Sequence, residues 1–369
     1  MTAPIEDRIY GCLIGGAIGD ALGAVVENWS YQRVRDEYEK IDTFQSYDNP
    51  HARGTPGAVT DDSVMRQYLC LSIVENGGRV TPDEFAETLL EHLNPDRVWV
   101  TEEIMIRKLA TGLNPWDSGR DNLRTGTATM MIAPVGIINA ADPKQAYQDG
   151  FNIASVNQDG MDRDAAATVA AGVAEALAPG ATVTDVIETM LEHSSELVYR
   201  GIDLAIGLAE GSETFDDYVA RFYDEMLDWT WPAVEWNREK FYRGEIFCAS
   251  SRELLPATAG LLYLWDGEDP NRAMIEGASF GRDADTIATL MGNIAGALSG
   301  ATGLRDEWIA RCETANEEFF EELHGDPDQN FSVMASRLRN ALEDERDRAA
   351  ERAGTLDELL RSDDSNYGR

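Results

Sequence analysis

The sequence Gly281-Arg282-Asp283-Ala284-Asp285-Thr286 leads directly into an apolar, small-residue run, 287–298. Two carboxylates and a hydroxyl therefore stand within four residues, at the start of a segment that is expected to be a buried helix. An unpaired buried charge costs several kcal/mol, so these oxygen atoms need partners. A hard cation, which prefers oxygen ligands, would satisfy all three.

A second oxygen-rich corner, Thr60-Asp61-Asp62-Ser63, precedes another apolar periodic run in the N-terminal third. Helix capping alone explains either corner, since Asp, Thr and Ser are preferred N-caps. Capping needs one oxygen, however, and each corner offers three or four. Neither corner contains a Cys or His that would favour zinc, so the two together predict a shared Mg²⁺, Mn²⁺ or Ca²⁺ site.

The chain has a large excess of acidic residues, which bears on its habitat and on the partners it can bind. The 369 residues carry 67 acidic against 31 basic side chains, a formal net charge of −36, and only four of the bases are lysines. A lysine-poor, acidic surface is typical of salt-loving organisms, in which high salt screens the self-repulsion. The charge also argues against binding to nucleic acid phosphates, which needs a basic surface.

The cysteines and the apolar segments predict a soluble, cytoplasmic protein. Cys12, Cys70, Cys248 and Cys312 are far apart and show no CxxC spacing, which indicates reduced core thiols. Residues 13–26 are apolar, but Asp20 interrupts them and two acids precede them, unlike a signal peptide. No stretch approaches the ~20 apolar residues of a membrane span.

Helical periodicity recurs throughout the chain and strand alternation does not, so the expected fold class is all-α. Repeated glycines in two helices, 15–19 and 295–297, cost roughly 1 kcal/mol each relative to alanine, which implies close backbone packing in a central bundle. We expect one domain over residues 1–330. Residues 331–369 read as an appended amphipathic helix that frays into disorder from residue 362.

The first helix, with Gly15-Gly16-Ala17-Ile18-Gly19-Asp20-Ala21-Leu22-Gly23, followed by the two acidic corners in this order, resembles the ADP-ribosylglycohydrolase family. The resemblance spans residues 9–323. It implies an orthogonal multi-helix bundle with two Mg²⁺ or Mn²⁺ ions at its centre. Carried over by position, the implied metal ligands are Thr60, Asp61, Asp62, Asp283, Asp285 and Thr286.

The resemblance also implies hydrolysis at the anomeric carbon of an ADP-ribosyl group on a small molecule or a protein. Bound ions would orient ribose hydroxyls and position a water, and Glu27 or Asp62 would be the general acid or base. Glu27 lies where some family members place a metal-linked glutamate; the alternative is an ordinary solvated residue at a helix end.

Two regions that hold the ADP-ribosyl group in the family differ in this chain. Members commonly carry Gly-Asn-Gly, then Met-Arg-x-Ala-Pro, where this chain has the segment 125–134, and a Thr-His pair where it has Val156-Asn157. The substrate-binding candidates are Gly126, Thr127, Ala128, Asn157 and Trp116. Trp99 and the pair Phe241-Tyr242 are further candidates to stack on a base, although core packing is the more common role of such residues.

Three functions remain open on this basis. The first is a metal-dependent ADP-ribosyl hydrolase, and the second is a glycosidase that uses the same metal frame on a smaller ribosyl substrate such as a nucleoside. The third is a binding or structural protein in which the metals only stabilise the fold. A full two-ion ligand set argues against the third.

The net charge predicts salt-dependent stability. Below about 0.5 M salt, where screening between surface carboxylates is incomplete, the melting temperature should fall. A KCl series from dilute buffer upward, followed by circular dichroism, measures this. An unchanged melting temperature in dilute buffer would contradict a halophilic origin.

Overall fold

The computed structural model describes residues 3–47, 54–226 and 249–366. Within these ranges the protein is all-α, without a strand, as predicted. The helices are α1 Ile5–Gly23, α2 Tyr31–Tyr38, α3 Asp61–Glu75, α4 Pro82–His92, α5 Val100–Ala110, α6 Thr127–Met131, α7 Ala133–Ile138, α8 Pro143–Ile153, α9 Met161–Ala176, α10 Val183–His193, α11 Glu196–Glu210, α12 Phe215–Arg221, α13 Ser251–Trp265, α14 Pro270–Ser279, α15 Ala284–Ser299, α16 Asp306–Ala315, α17 Glu317–His324 and α18 Phe331–Asn366.

Helices α1 and α15 form the centre of the fold and pack antiparallel with their backbones in close contact. A Cβ atom added at Gly15 would lie 2.5 Å from the carbonyl oxygen of Gly292, and one at Gly19 would lie 2.0 Å from that of Ala288. Only glycine permits such an approach. The expectation of close backbone packing between the two glycine-rich helices is therefore confirmed.

The remaining helices cover this central pair. Helices α13 and α14 pack beside α15, α9 packs against α7, α8 and α10, and α3 contacts α6. Buried Arg8 on α1 binds the last carbonyls of α9, donating to the carbonyl oxygens of Ala176 and Leu177, and also donates to that of Ala297 on α15. These otherwise unpaired carbonyls at a helix end are satisfied by one guanidinium.

Helical periodicity in the sequence predicts one continuous helix over residues 128–140 and another over 306–323, and the structure divides both. The predicted helix 128–140 breaks at Ile132, because Pro134 has no N–H to continue the α6 ladder. The predicted helix 306–323 breaks at Asn316, whose amide group donates to the carbonyl of Gly57 and accepts from the N–H of Val59. Helices α2 and α12 were not predicted, since both are short and largely exposed.

The C-terminal helix α18 has two different halves. Its first turns are buried against the core through Phe331, Met334 and Leu338, whereas residues 346–361 are exposed on every side. The helix extends to Asn366, beyond the predicted point of fraying at residue 362. The division of the chain at residue 330 stays a prediction.

The segment Ile5–Val26 has the length and mean hydropathy, 1.7, of a membrane span, so the expectation that no segment reaches that length is wrong. In the folded protein 89% of its most apolar window is buried. Burial of this extent is what a core helix shows, and it accounts for the apolar composition.

Three of the cysteines, Cys12, Cys70 and Cys312, are buried and free; Cys248 lies outside the described residues.

The α1–α15 contact predicts a large cost for the substitution Gly19→Ala. The new methyl group would meet a backbone carbonyl that cannot move aside, so we expect a loss of about 3 kcal/mol in the free energy of unfolding. Gly207→Ala is the matched control. That glycine is exposed within α11 and has open space around it, so alanine should stabilise the protein by about 0.5–1 kcal/mol. Chemical denaturation measures both, and equal effects would contradict the packing argument.

Candidate active site

The carboxylates from the two acidic corners line one cavity of about 710 Å³. It lies where the end of α1 meets the starts of α3 and α15. Five carboxylates line it: Glu27, Asp61, Asp62, Asp283 and Asp285. Thus residues more than 220 positions apart in the sequence share one site, because α1 and α15 run antiparallel.

Two backbone hydrogen bonds fasten the segment after α1 to the segment before α15. The N–H of Asn28 donates to the carbonyl of Arg282 at 2.7 Å, and the N–H of Arg282 donates to the carbonyl of Trp29 at 2.6 Å. Arg282 has a left-handed φ of 61°, and its buried guanidinium pairs with Glu253 at 2.7 Å. The two backbone hydrogen bonds set the position of Glu27 relative to Asp283.

The carboxylates lie close enough to share a cation. One oxygen each from Glu27, Asp283 and Asp285 lie within 4.8 Å of one another. From the other corner, Asp62 accepts a long hydrogen bond of 3.4 Å from the hydroxyl of Thr286. Residues of both corners are therefore in contact at the wall of the cavity.

Burial and mutual repulsion make these carboxyl groups weak acids. Burial raises the pKa of Asp62 and Asp285 well above the usual range, and neighbouring carboxylates raise both further. The pKa of Asp283 is raised to about 7, first by burial and then by Glu27. Without a compensating positive charge, ionisation of this cluster opposes folding.

The site fits a divalent cation by one further observation. Asp62 Oδ1 and Asp283 Oδ2 are buried and have no hydrogen-bond partner among the described residues. A buried carboxylate oxygen without a partner is costly, and a hard cation is the ligand that such oxygens suit. Bound ions would also remove the repulsion that raises the pKa values.

Of the other predicted site residues, some line the cavity and others do not. Gly126 and Thr127 line the cavity, as does Trp99. Ala128 and Asn157 are fully buried and do not line it, and Trp116 is exposed and donates its indole N–H to Asp83 at 2.7 Å. Phe241 and Tyr242 lie outside the described residues.

Thr60 also does not line the cavity. Its hydroxyl donates to Asp20 at 2.8 Å and accepts from the N–H of Asp62 at 3.3 Å. In this arrangement it acts as the N-cap of α3. Its role as a metal ligand stays a prediction.

The sequence comparison agrees with the geometry of the site. Residues 1–348 match the model of the ADP-ribosylglycohydrolase family. The chain belongs to this family. The match extends past the residue 323 at which the resemblance was expected to end, and covers the buried half of α18.

Two relatives match along nearly their whole length. An uncharacterized protein of Archaeoglobus fulgidus is 27% identical over 325 residues, covering 86% of this chain and 95% of the relative. The uncharacterized protein YegU of Escherichia coli (strain K12) is 25% identical over 324 residues, covering 84% and 93%. Members of the ADP-ribosylglycohydrolase family are generally hydrolases of glycosyl bonds and generally use divalent metals.

Sequence reasoning overlooked several residues of this ADP-ribosylglycohydrolase site. Trp29, Tyr38 and Tyr47 line the cavity and give it an aromatic wall. Burial raises the pKa of Asp61, and the strongest repulsion on it comes from buried Glu102, whose own pKa is raised to about 7 chiefly by burial. Asp20 is the one carboxylate within the apolar run 13–26, and that position was a signal, because a buried charge in such a run needs partners.

The raised pKa of Asp283 predicts how stability depends on pH in the metal-free protein. A carboxyl group whose pKa is higher in the folded state stabilises the fold below its unfolded value of about 3.9. That contribution is lost as the pH rises through about 7. In EDTA, wild-type stability should therefore fall between about pH 4 and 7 relative to Asp283→Asn, by up to about 4 kcal/mol. Denaturant titrations at constant salt measure the difference, and parallel pH profiles of the two proteins would refute it.

Proposed function

We propose that the protein hydrolyses the glycosidic bond at the anomeric carbon of an ADP-ribosyl group, with two Mg²⁺ or Mn²⁺ ions as cofactors. The observation that supports this most is the convergence of five carboxylates from both acidic corners on one cavity with an aromatic wall. Family membership supports the class of reaction.

The metal-holding residues in this proposal are Asp61, Asp62, Asp283 and Asp285, with Thr60, Thr286 and Glu27 around them. When bound, the ions would supply positive charge to orient ribose hydroxyls and to acidify a water. The unpartnered oxygens of Asp62 and Asp283 are the strongest candidates for direct ligation.

Glu27 is the better placed of the two candidate general acids or bases. It is half-buried, and its carboxylate accepts one hydrogen bond of 3.0 Å from the side chain of Asn28. Asp62 is more deeply buried and already bonded to Thr286. Glu27 therefore takes a proton from the water whose oxygen bonds to the anomeric carbon, and that proton passes to the leaving group as its bond to the carbon breaks. The carboxylate cluster stabilises the positive charge that develops on the ribose ring.

The aromatic wall would bind the adenine base. The indole of Trp29 lines the cavity, and the guanidinium of Arg33 lies 3.4 Å from its ring centroid. Trp29 also lies 6.0 Å from Tyr38, centroid to centroid. These contacts hold the ring in place, and a fixed aromatic surface loses little conformational entropy when a base stacks on it.

One observation favours a second candidate, a ribosyl substrate without phosphate groups. Among the described residues that line the cavity there is no Arg, Lys or His. The pyrophosphate of an ADP-ribosyl group would face carboxylates, whereas a nucleoside would bring no negative charge into the site. Neither proposal depends on the location of the protein in the cell or on contact with a membrane. The cytoplasmic location and the origin in a salt-loving organism both stay predictions.

A hydrolysis panel separates the candidates. ADP-ribosyl-arginine, ADP-ribosyl-serine, O-acetyl-ADP-ribose and nucleosides are tested at high salt with Mg²⁺, Mn²⁺ or EDTA. Turnover of an ADP-ribosyl compound that stops in EDTA is the expected result. Turnover of nucleosides alone would select the second candidate, and no turnover of any compound would favour a binding or structural protein.

The substitution Glu27→Gln tests the assigned acid–base role. We expect kcat to fall by about 10²–10⁴-fold, the usual contribution of a general acid or base. Stability in EDTA should not fall, because one repelling carboxylate is removed from the cluster. Glu188→Gln, on the exposed side of α10, is the matched control and should leave kcat unchanged. Full activity of Glu27→Gln would remove this residue from the mechanism.

A further inference from the structure

Asp20 lies outside the cavity and holds the turn that carries Asp61 and Asp62. It is fully buried near the end of α1. Its Oδ1 accepts from the N–H of Thr60 at 3.0 Å and from the Thr60 hydroxyl at 2.8 Å, and its Oδ2 accepts from the N–H of Ser63 at 3.1 Å. One carboxylate on α1 thus accepts hydrogen bonds from both ends of the turn that starts α3.

We propose that Asp20 is a positioning residue that sets the affinity of the site for divalent ions, without itself being a ligand. This inference rests on the proposed metal site. The N–H groups at the start of a helix need acceptors, and an acidic residue of the first turn often provides one. Here a carboxylate from another helix satisfies Ser63, so neither Asp61 nor Asp62 is needed for that bond.

The hydrogen bonds of Asp62 support this division of roles. Its Oδ1 is buried without a partner, while every oxygen of Asp20 is hydrogen-bonded. A carboxylate with both oxygens satisfied by the protein has nothing left to gain from a cation at the cavity wall. Asp20 therefore orients the ligands, and Asp62 keeps an oxygen for the ion.

A buried arginine, Arg66, also holds the turn that starts α3 in place. Arg66 donates to the hydroxyl of Ser63 at 2.9 Å, to the carbonyl of Leu13 at 3.0 Å and to the side chain of Asn293 at 2.9 Å. Burial raises the pKa of Asp20, and its hydrogen bonds to Ser63 and Thr60 and the positive charge of Arg66 offset part of that rise. These hydrogen bonds tie α1, α3 and α15 together without any bound ion, so the ligand turn is preorganised.

A merely structural role for Asp20 predicts loss of stability alone, and the chain contains a matched control for it. Asp164, buried on α9, accepts from the hydroxyl of Tyr147 at 2.6 Å and from the N–H of Ser195 at 3.1 Å, at the start of α11. It is likewise a carboxylate on one helix that satisfies the start of another. Unlike Asp20, whose partners Thr60 and Ser63 flank the cavity residues Asp61 and Asp62, it bonds to no turn that carries a cavity residue.

The test compares Asp20→Asn with Asp164→Asn in the full-length protein at high salt. Mn²⁺ affinity is measured by calorimetry, and the melting temperature is measured in EDTA. Both variants should melt at lower temperature, but only Asp20→Asn should raise the Kd for Mn²⁺, by roughly 10–100-fold. An unchanged Kd in Asp20→Asn, or an equal rise in Asp164→Asn, would overturn the proposal.

A second variant covers the case in which Asp20→Asn does not fold. Asp20→Glu keeps the charge and both acceptor oxygens but displaces them by one methylene. A raised Kd in this variant supports positioning, and a wild-type Kd overturns it. Wild-type protein that binds neither Mn²⁺ nor Mg²⁺ would instead defeat the proposed metal site, so the two failures are distinguishable.

Discussion

The contact between α1 and α15 is the constraint on which the rest of the structure depends. Four glycines spaced one turn apart on α1, at positions 11, 15, 19 and 23, face backbone atoms of α15 that leave no room for a side chain. Two helices can approach this closely only along such a stripe. Because they run antiparallel, the end of one lies beside the start of the other, and this places Glu27 next to Asp283 and Asp285.

The buried charges of the protein fall into two kinds. Asp20 with Arg66, and Glu253 with Arg282, have their polar atoms largely satisfied within the protein and support the backbone around the site. Asp62 and Asp283 each retain an oxygen without a partner. Proteins tolerate such local costs at functional sites when the surrounding structure is rigid. The hydrogen bonds that Asp20 and Arg66 both make to Ser63, and the ion pair of Glu253 with Arg282, supply that rigidity here. The carboxylates with an unpartnered oxygen supply the chemistry.

Sequence reasoning reached the fold class, most helices and the five cavity carboxylates, because periodicity, caps and oxygen-rich corners are local signals. It missed α2, which is short and mostly exposed, and the partners of Asp20, which lie about 40 residues away. Trp116 was an aromatic in a long loop, but the fold turns it towards Asp83 on α4. Such outcomes depend on tertiary contacts that a single sequence does not encode locally.

The α1–α15 contact also bears on how the chain folds during synthesis. The glycine stripe of α1 leaves the ribosome early, whereas Gly292 and Gly296 follow some 280 residues later. At about 5–20 residues per second this is a delay on the order of 15–60 s. For that time an apolar helix with the length and hydropathy of a membrane span lacks its main partner α15, and contacts of such long sequence separation form slowly. The nascent chain is therefore expected to need protection from aggregation until its final third has emerged.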